Sequence, residues 1–181
     1  MNCWKSIYLQ REFGTHRLTI FSMLLTLLYF IAFYLVFSML YPTTKHAIVP
    51  ILPFLGSVAV LFPIHKIIHW LPLTIAGLKA TMKLEKGIVM VPTMRCETCN
   101  PISRNLFLVA ALSPAVIITG AAITAAIYLP TYVSFFSILA ALNLGFSFSD
   151  FLYASQVLRA PKHAFVEDRS EGFHILIKQA S

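Results

Sequence analysis

The sequence predicts an all-α membrane protein, a bundle of four transmembrane helices with a small strand-like cytoplasmic insert. The first observation is composition, since 58% of the 181 residues are hydrophobic and only 12% are charged. Soluble domains are usually about half apolar and about a quarter charged. The second observation is that four apolar stretches are each long enough to cross a hydrocarbon core of about 30 Å as a helix. We therefore expect one membrane domain over residues 1–181.

The four predicted spans can be bounded from the apolar runs. In chain order they are residues 18–41, 47–76, 105–129 and 132–157. The first contains no charged residue. The second contains four prolines, which predict kinks because each removes a backbone donor. The third is rich in alanine, glycine and threonine, small residues that allow helices to approach closely.

The basic residues orient these spans. They precede the first span, lie between the second and third, and follow the fourth, whereas the other two connections contain only Lys45. The positive-inside rule therefore places both termini, the insert at 79–104 and the tail at 158–181 in the cytoplasm of a multi-pass plasma-membrane protein. The net charge of +7 is then explained by topology and anionic headgroups, so the lipid bilayer is the expected partner and nucleic acid is not.

The cytoplasmic insert differs in character from the spans. Its piece "GIVMVPTM", which begins at residue 87, is short and β-branched and predicts a strand or small hairpin. The tail segment "GFHILIKQ" is a candidate for one more strand. Cys96 and Cys99 form a single Cys-x-x-Cys pair without the second pair of a zinc ribbon, so we interpret them as reduced thiols.

The second span contains the stretch "FPIHKIIHWLP", in which His65 and His69 lie four residues apart. Residues at this spacing share a helix face, and metal ligation by His-x-x-x-His depends on that geometry. A third ligand is required, and Asp150 is the only acidic residue within the four predicted spans. At about 1.5 Å per residue, all three residues lie roughly 27 to 33 Å from the outer ends of their helices. They are therefore expected at the same depth, near the cytoplasmic face.

Asp150 has polar neighbours at helical spacing. Asn143, Ser147 and Asp150 are separated by four and then three residues, which predicts a polar stripe on one helix face. Polar groups within a span usually face the interior of the bundle and mark a functional site. Asn143 and Ser147 are therefore candidates for hydrogen bonds that orient a ligand.

These features together resemble a known family. The pieces "HKIIHWLPL" at 65–73, "LSP" at 112–114 and "NLGFSFSDFLYA" at 143–154 are similar to those of bacterial membrane domains of unknown function described as "putative zincin peptidase". That family is similar to the site-2 protease group of intramembrane metalloproteases. The resemblance implies zinc as the cofactor, with His65, His69 and Asp150 as ligands. It also implies that the insert at 87–95 is an edge strand that pairs with an extended peptide or membrane-protein partner.

One residue departs from the family pattern. Lys66 stands where the His-Glu-x-x-His motif has the glutamate that acts as general base. A protonated lysine has three donors and no acceptor, so it cannot do this work. Three hypotheses follow: a zinc-binding homologue that does not hydrolyse peptides, an active peptidase with Lys66 as an atypical base, and a metal-free helical scaffold with an ion pair between Lys66 and Asp150.

Overall fold

The architecture comes from a computed structural model that describes residues 2–78, 80–86, 92–98, 101–169 and 172–177. In chain order its elements are β1 (Asn2–Ile7), α1 (Leu9–Phe13), α2 (Thr15–Leu40), α3 (Ile51–Ile75), β2 (Ala80–Lys86), β3 (Pro92–Thr98), β4 (Ile102–Ser103), α4 (Arg104–Tyr128), a 3-10 turn (Pro130–Tyr132), α5 (Val133–Phe146), α6 (Phe148–Leu158), β5 (Phe165–Arg169) and β6 (Gly172–Ile177).

Helices α2, α3 and α4 are each long and apolar enough to cross a membrane. They correspond to the first three predicted spans, with ends that differ by a few residues. Most of the α2 surface that faces away from the bundle is apolar and exposed, for example at Met23 and Leu27. An exposed apolar surface of this extent is expected where helices face lipid. The chain is therefore a membrane protein.

The fourth predicted span is not one straight helix. The 3-10 turn and α5 are long and apolar enough to cross a membrane only when α6 is counted with them. The axis of α6 is bent by 46° from that of the preceding segment. At the break, Ser147 Oγ donates to the carbonyl of Asn143 at 2.9 Å. Ser22 Oγ of α2 donates to the carbonyl of Gly145 at 2.7 Å. Hydroxyls that bond to helix carbonyls in this way bend helices, so Asp150 lies in the first turn of a separate helix and not on one continuous stripe.

Helices α2 and α5 are in close contact at Gly145. A Cβ atom at this position would overlap Thr26 Oγ1 on α2. The Thr26 hydroxyl is held in place because it donates to the carbonyl of Ser22 at 2.9 Å. Glycine is therefore required at this helix contact as long as Thr26 is present.

We expect Gly145→Ala to destabilise the protein by about 1–3 kcal/mol, as overpacking of a tight contact usually does. Thr26→Ala removes the obstructing atom, so the double variant should regain most of the lost stability. Gly120→Ala is the matched control, because a Cβ atom there meets nothing within 4 Å. Thermal unfolding in detergent is measured for the wild type and all four variants. Additive effects of the two substitutions would contradict this account of the contact.

The expectation of an all-α fold is corrected by two small sheets in the described part of the chain. Strands β1, β6, β5 and β4 form an antiparallel sheet in that order. The predicted tail strand is β6, whereas β1 and β5 were not anticipated. Strands β2 and β3 form the hairpin of the insert, with Cys96 opposite Met82. Residues 87–91 of the predicted insert strand, and Cys99, lie outside the described residues.

The four-stranded sheet closes one end of the helices. Ile7, Val166 and Ile175 are buried in one cluster with Phe107 of α4 and Val157 of α6. Arg104, the first residue of α4, donates from Nε to the carbonyl of Val157 at 3.1 Å. Its Nη2 donates to the carbonyl of Leu158 at 2.8 Å. These bonds to carbonyls in the last turn of α6 fix that helix, which carries Asp150, against the start of α4.

Candidate metal centre

His65 and His69 face the interior of the bundle from successive turns of α3. The side chain of His65 is only 2% exposed, and that of His69 is 15% exposed. Their Nε2 atoms lie 3.2 Å apart. The four-residue spacing therefore brings both imidazole edges to one point.

Asp150 reaches the same point from the first turn of α6. Its Oδ2 atom lies 3.2 Å from His69 Nε2 and 3.4 Å from His65 Nε2. The carboxylate is 20% exposed, so it borders the accessible side of the cluster. The bend between α5 and α6 thus places the sole acid of the predicted spans against both histidines.

The other nitrogen of each imidazole is held by a hydrogen-bond acceptor. His69 Nδ1 donates to the carbonyl of Ala110 at 2.7 Å. His65 Nδ1 donates to Asn143 Oδ1 at 2.9 Å. The orientation of this amide follows from its other end, where Asn143 Nδ2 donates to the carbonyl of Pro114 at 3.1 Å. In the neutral state both imidazoles therefore carry their proton on Nδ1 and direct a lone pair from Nε2 towards Asp150.

Pro114 explains why α4 can supply both acceptors. A helix carbonyl normally accepts from the N–H four residues later, and proline has none. The carbonyl of Ala110 is therefore released from the α4 ladder and accepts from His69. The carbonyl of Pro114 itself accepts from Asn143 Nδ2. One proline on α4 thus orients His69 directly and His65 through an amide.

A second proline is accommodated in the same way. Pro72 leaves the carbonyl of Ile68 on α3 without its usual donor. Ser113 Oγ lies 3.1 Å from that carbonyl and 3.0 Å from the carbonyl of Ala110. Because His69 already donates to Ala110, the single hydroxyl proton of Ser113 is available for Ile68. The carbonyls of Ala110 and Ile68 are thus both satisfied, as a membrane requires.

The arrangement of His65, His69 and Asp150 fits zinc. Tetrahedral zinc with ligand bonds of about 2.0–2.2 Å separates its ligand atoms by about 3.3–3.6 Å. The three donor atoms here are separated by 3.2, 3.2 and 3.4 Å. Two imidazole lone pairs and a carboxylate oxygen repel one another at these distances unless a cation or a shared proton lies among them. The three residues could therefore hold a metal ion, with hydrogen-bonded groups around them that fix the two imidazoles.

Lys66 lies beside the cluster and not within it. Among the described residues, the ion pairs of Asp150 are with His65 and His69. The charge of Lys66 interacts with Asp150 at longer range. The direct Lys66–Asp150 ion pair of the scaffold hypothesis is therefore not formed.

The remaining predicted residues differ in their placement. Asn143 is fully buried and contacts His65. Ser147 is also fully buried, but its hydroxyl is used at the α5–α6 break. The carbonyl of Ala110 is a functional group that the sequence analysis missed. The signal that marks it is the proline four residues later.

The comparisons with known proteins agree with this geometry. No curated protein matches the chain, and no solved structure does. A family model matches residues 58–165, which is more than half of the chain and includes His65, His69 and Asp150. The site agrees with this match, because two histidines lie on one helix and a carboxylate lies as far from them as two ligand atoms of one zinc ion do. The chain therefore belongs to the family described as "putative zincin peptidase".

Proposed function

We propose that this protein binds one zinc ion through His65 Nε2, His69 Nε2 and Asp150 Oδ2. The observation that carries the proposal is that three lone-pair donors converge within 3.4 Å of one another. Both Nδ1 atoms are used as donors, so it is the Nε2 atom of each neutral imidazole that can coordinate a metal ion. Asn143 and the carbonyl of Ala110 then act as the groups that orient the ligands.

Lys66 makes the protein a non-hydrolytic or atypical homologue of a zinc peptidase. In zincins the bound zinc polarises the substrate carbonyl and activates water, and a glutamate accepts the proton of that water. Lys66 occupies the position of that glutamate and offers donors only when protonated. The function proposed is therefore metal-dependent binding of a peptide or membrane protein without efficient cleavage.

The proposed topology has four crossings with both termini in the cytoplasm of a plasma membrane. Pairing of β1 with β6 supports it, because Asn2 lies opposite Ile177 and the two ends of the chain must then share one side. Both ends lie on one side only if the chain crosses the membrane an even number of times. Since α2, α3 and α4 supply three crossings, α5 and α6 together are counted as the fourth. The basic residues of the insert and the tail favour the cytoplasm for that side.

The insert is the proposed contact for an extended partner segment. Among the described strands, β2 and β3 form a sheet of two strands by themselves, separate from the four-stranded sheet. A sheet of this size has open edges to which an extended peptide can add. The contact would involve the neighbourhood of residues 87–95.

Metal analysis tests the proposal. We expect about one zinc per chain in protein purified without chelators, and loss of that zinc in His65→Ala and His69→Ala. His16→Ala is the matched control, since His16 is exposed at the start of α2, outside the cluster. Metal-free wild type, or zinc that persists in both cluster variants, would overturn the proposal and favour the scaffold hypothesis.

Substitution of Lys66 separates the two zinc-binding hypotheses. Peptide cleavage that is absent in the wild type and appears in Lys66→Glu would support a homologue that lacks only its base. Cleavage by the wild type that disappears in Lys66→Met would instead identify Lys66 as an atypical base. Zinc content is measured in each preparation, so that lost activity is not confused with lost metal.

A further inference from the structure

Helix α6 is short and separate from α5, so its own contacts decide where Asp150 lies. The break at Ser147 divides the two segments, and they are bent by 46°. Asp150 is in the first turn of α6, and Val157 lies about two turns further along the same helix face. The contacts at the far end of α6 therefore help to set the direction of its first turn.

The far end of α6 is held in part by the strand that begins the chain. Lys5 Nζ of β1 donates to Gln156 Oε1 of α6 at 2.9 Å. Ile7, the last residue of β1, is fully buried in the same apolar cluster as Val157 of α6. Burial of a whole isoleucine side chain stabilises a fold more than one exposed hydrogen bond does. The apolar cluster is therefore the main link between β1 and α6, and the bond to Gln156 adds to it.

Strand β1 is attached by contacts that are distant in sequence. It lies at the edge of its sheet, and β6 is its one neighbour among the described strands. The register of this pair shifts between Cys3 and Lys5. An edge strand with one interrupted ladder opens locally at lower cost than a packed helix does. Docking of β1 is thus a local equilibrium that can change while the membrane helices stay folded.

The two histidines are oriented by other elements. His69 donates to the carbonyl of Ala110 on α4, and His65 donates to Asn143 on α5. Neither acceptor belongs to α6 or to β1. Release of β1 would therefore act on the position of the Asp150 carboxylate more than on the two imidazoles.

We propose that docking of β1 positions Asp150 for zinc, so that the N-terminal strand regulates the metal affinity of the site. Ile7 and Lys5 are the positioning residues. The inference rests on the proposed zinc binding and adds how the site is regulated. With β1 docked, Asp150 Oδ2 lies 3.2 Å from His69 Nε2 and 3.4 Å from His65 Nε2. Coupling between two such events is reciprocal, so bound zinc must stabilise the docked strand by the same factor.

Chelator competition for zinc tests the first half of this coupling. We expect Ile7→Ala to lower zinc affinity about tenfold or more, as loss of groups that position metal ligands does. Ile7→Val removes less volume and should retain most of the affinity. Val133→Ala is the matched control, because Val133 is 1% exposed in the second buried cluster, which contains none of the three ligands. In an Asp150→Ala background, Ile7→Ala should cause little further loss, since the two substitutions act on one ligand.

Hydrogen exchange of the wild type tests the second half and requires no variant. Zinc should slow amide exchange in residues 2–7 by about the factor that Ile7→Ala loses in zinc affinity. Residues 80–86 of the separate insert hairpin are the reference segment, and their exchange should be unchanged. Lys5→Met, which removes only the exposed bond to Gln156, should give a smaller loss of zinc affinity in the same direction.

The outcomes separate this inference from the proposed function. Wild type without zinc would overturn both. Zinc-loaded wild type whose exchange in residues 2–7 is not slowed, or is slowed no more than in residues 80–86, would overturn only the regulation by β1. Equal losses of affinity in Ile7→Ala and Val133→Ala would do the same, as would an undiminished effect of Ile7→Ala in the Asp150→Ala background. If Ile7→Ala does not fold, the exchange measurement and Lys5→Met decide.

Discussion

Replacing Asp150 with alanine is expected to lower zinc affinity by about 100-fold or more. Loss of a hydrogen-bonding neighbour of a ligand already costs about 10–100-fold in metal affinity, and loss of a ligand costs more. Asp150 is also the only carboxylate that the structure, over its described residues, places against the two histidines. Competition for zinc with a chelator of known affinity measures the change. Glu12→Ala is the control, since Glu12 lies on α1, outside the cluster.

The same substitution distinguishes a metal site from a charge pair. If Lys66 and Asp150 stabilised a metal-free scaffold, Asp150→Ala would leave a lysine without its opposite charge, and Lys66→Met would restore stability in the double variant. In the zinc-binding protein the double variant does not regain zinc. It also stays less stable than the zinc-loaded wild type, because bound metal stabilises the fold by mass action. Full recovery of stability without metal would refute the zinc assignment.

The membrane helices were predictable because each is encoded by a local apolar run. The sheet was not, because its defining contact pairs Asn2 with Ile177 from opposite ends of the chain. Strand β1, "NCWKSI", mixes polar and apolar residues and carries no turn signal of a hairpin. Only closure of the helical bundle brings it to β6. Long-range pairing of this kind has no signature within a short window of sequence.

The convergence of His65, His69 and Asp150 was predictable for a different reason. The spacing of His65 and His69 places both on one helix face. A single acidic residue within an apolar span is recognisable as functional, because burying its charge in a membrane is energetically unfavourable. The helix break before Asp150 was not predicted, because no proline marks it. It involves a local bond from the Ser147 hydroxyl to the carbonyl of Asn143, and a bond from the Ser22 hydroxyl to the carbonyl of Gly145 that forms only after α2 and α5 have packed together. The depth of Asp150 was therefore foreseen, but the direction of its helix was not.

The orientation of the two histidines depends on Pro114, which is not itself a candidate metal ligand. Pro114→Ala would supply an N–H that can bond to the carbonyl of Ala110 and compete with His69 for it. We expect zinc affinity to fall about 10–100-fold, as when other groups that orient metal ligands are removed.

Although Pro114→Ala should lower zinc affinity, it should raise the stability of the metal-free protein or leave that stability unchanged. Proline in a helix interior costs about 3 kcal/mol relative to alanine, so Pro114→Ala should not destabilise α4 itself. Pro72→Ala is the matched control, because the carbonyl that Pro72 releases, that of Ile68, is bonded by Ser113 and not by a zinc ligand. Chelator competition and thermal unfolding with and without zinc measure both effects. Equal losses of zinc affinity in the two variants would show that the ligands depend on the general shape of the helices, and not on the freed carbonyl of Ala110.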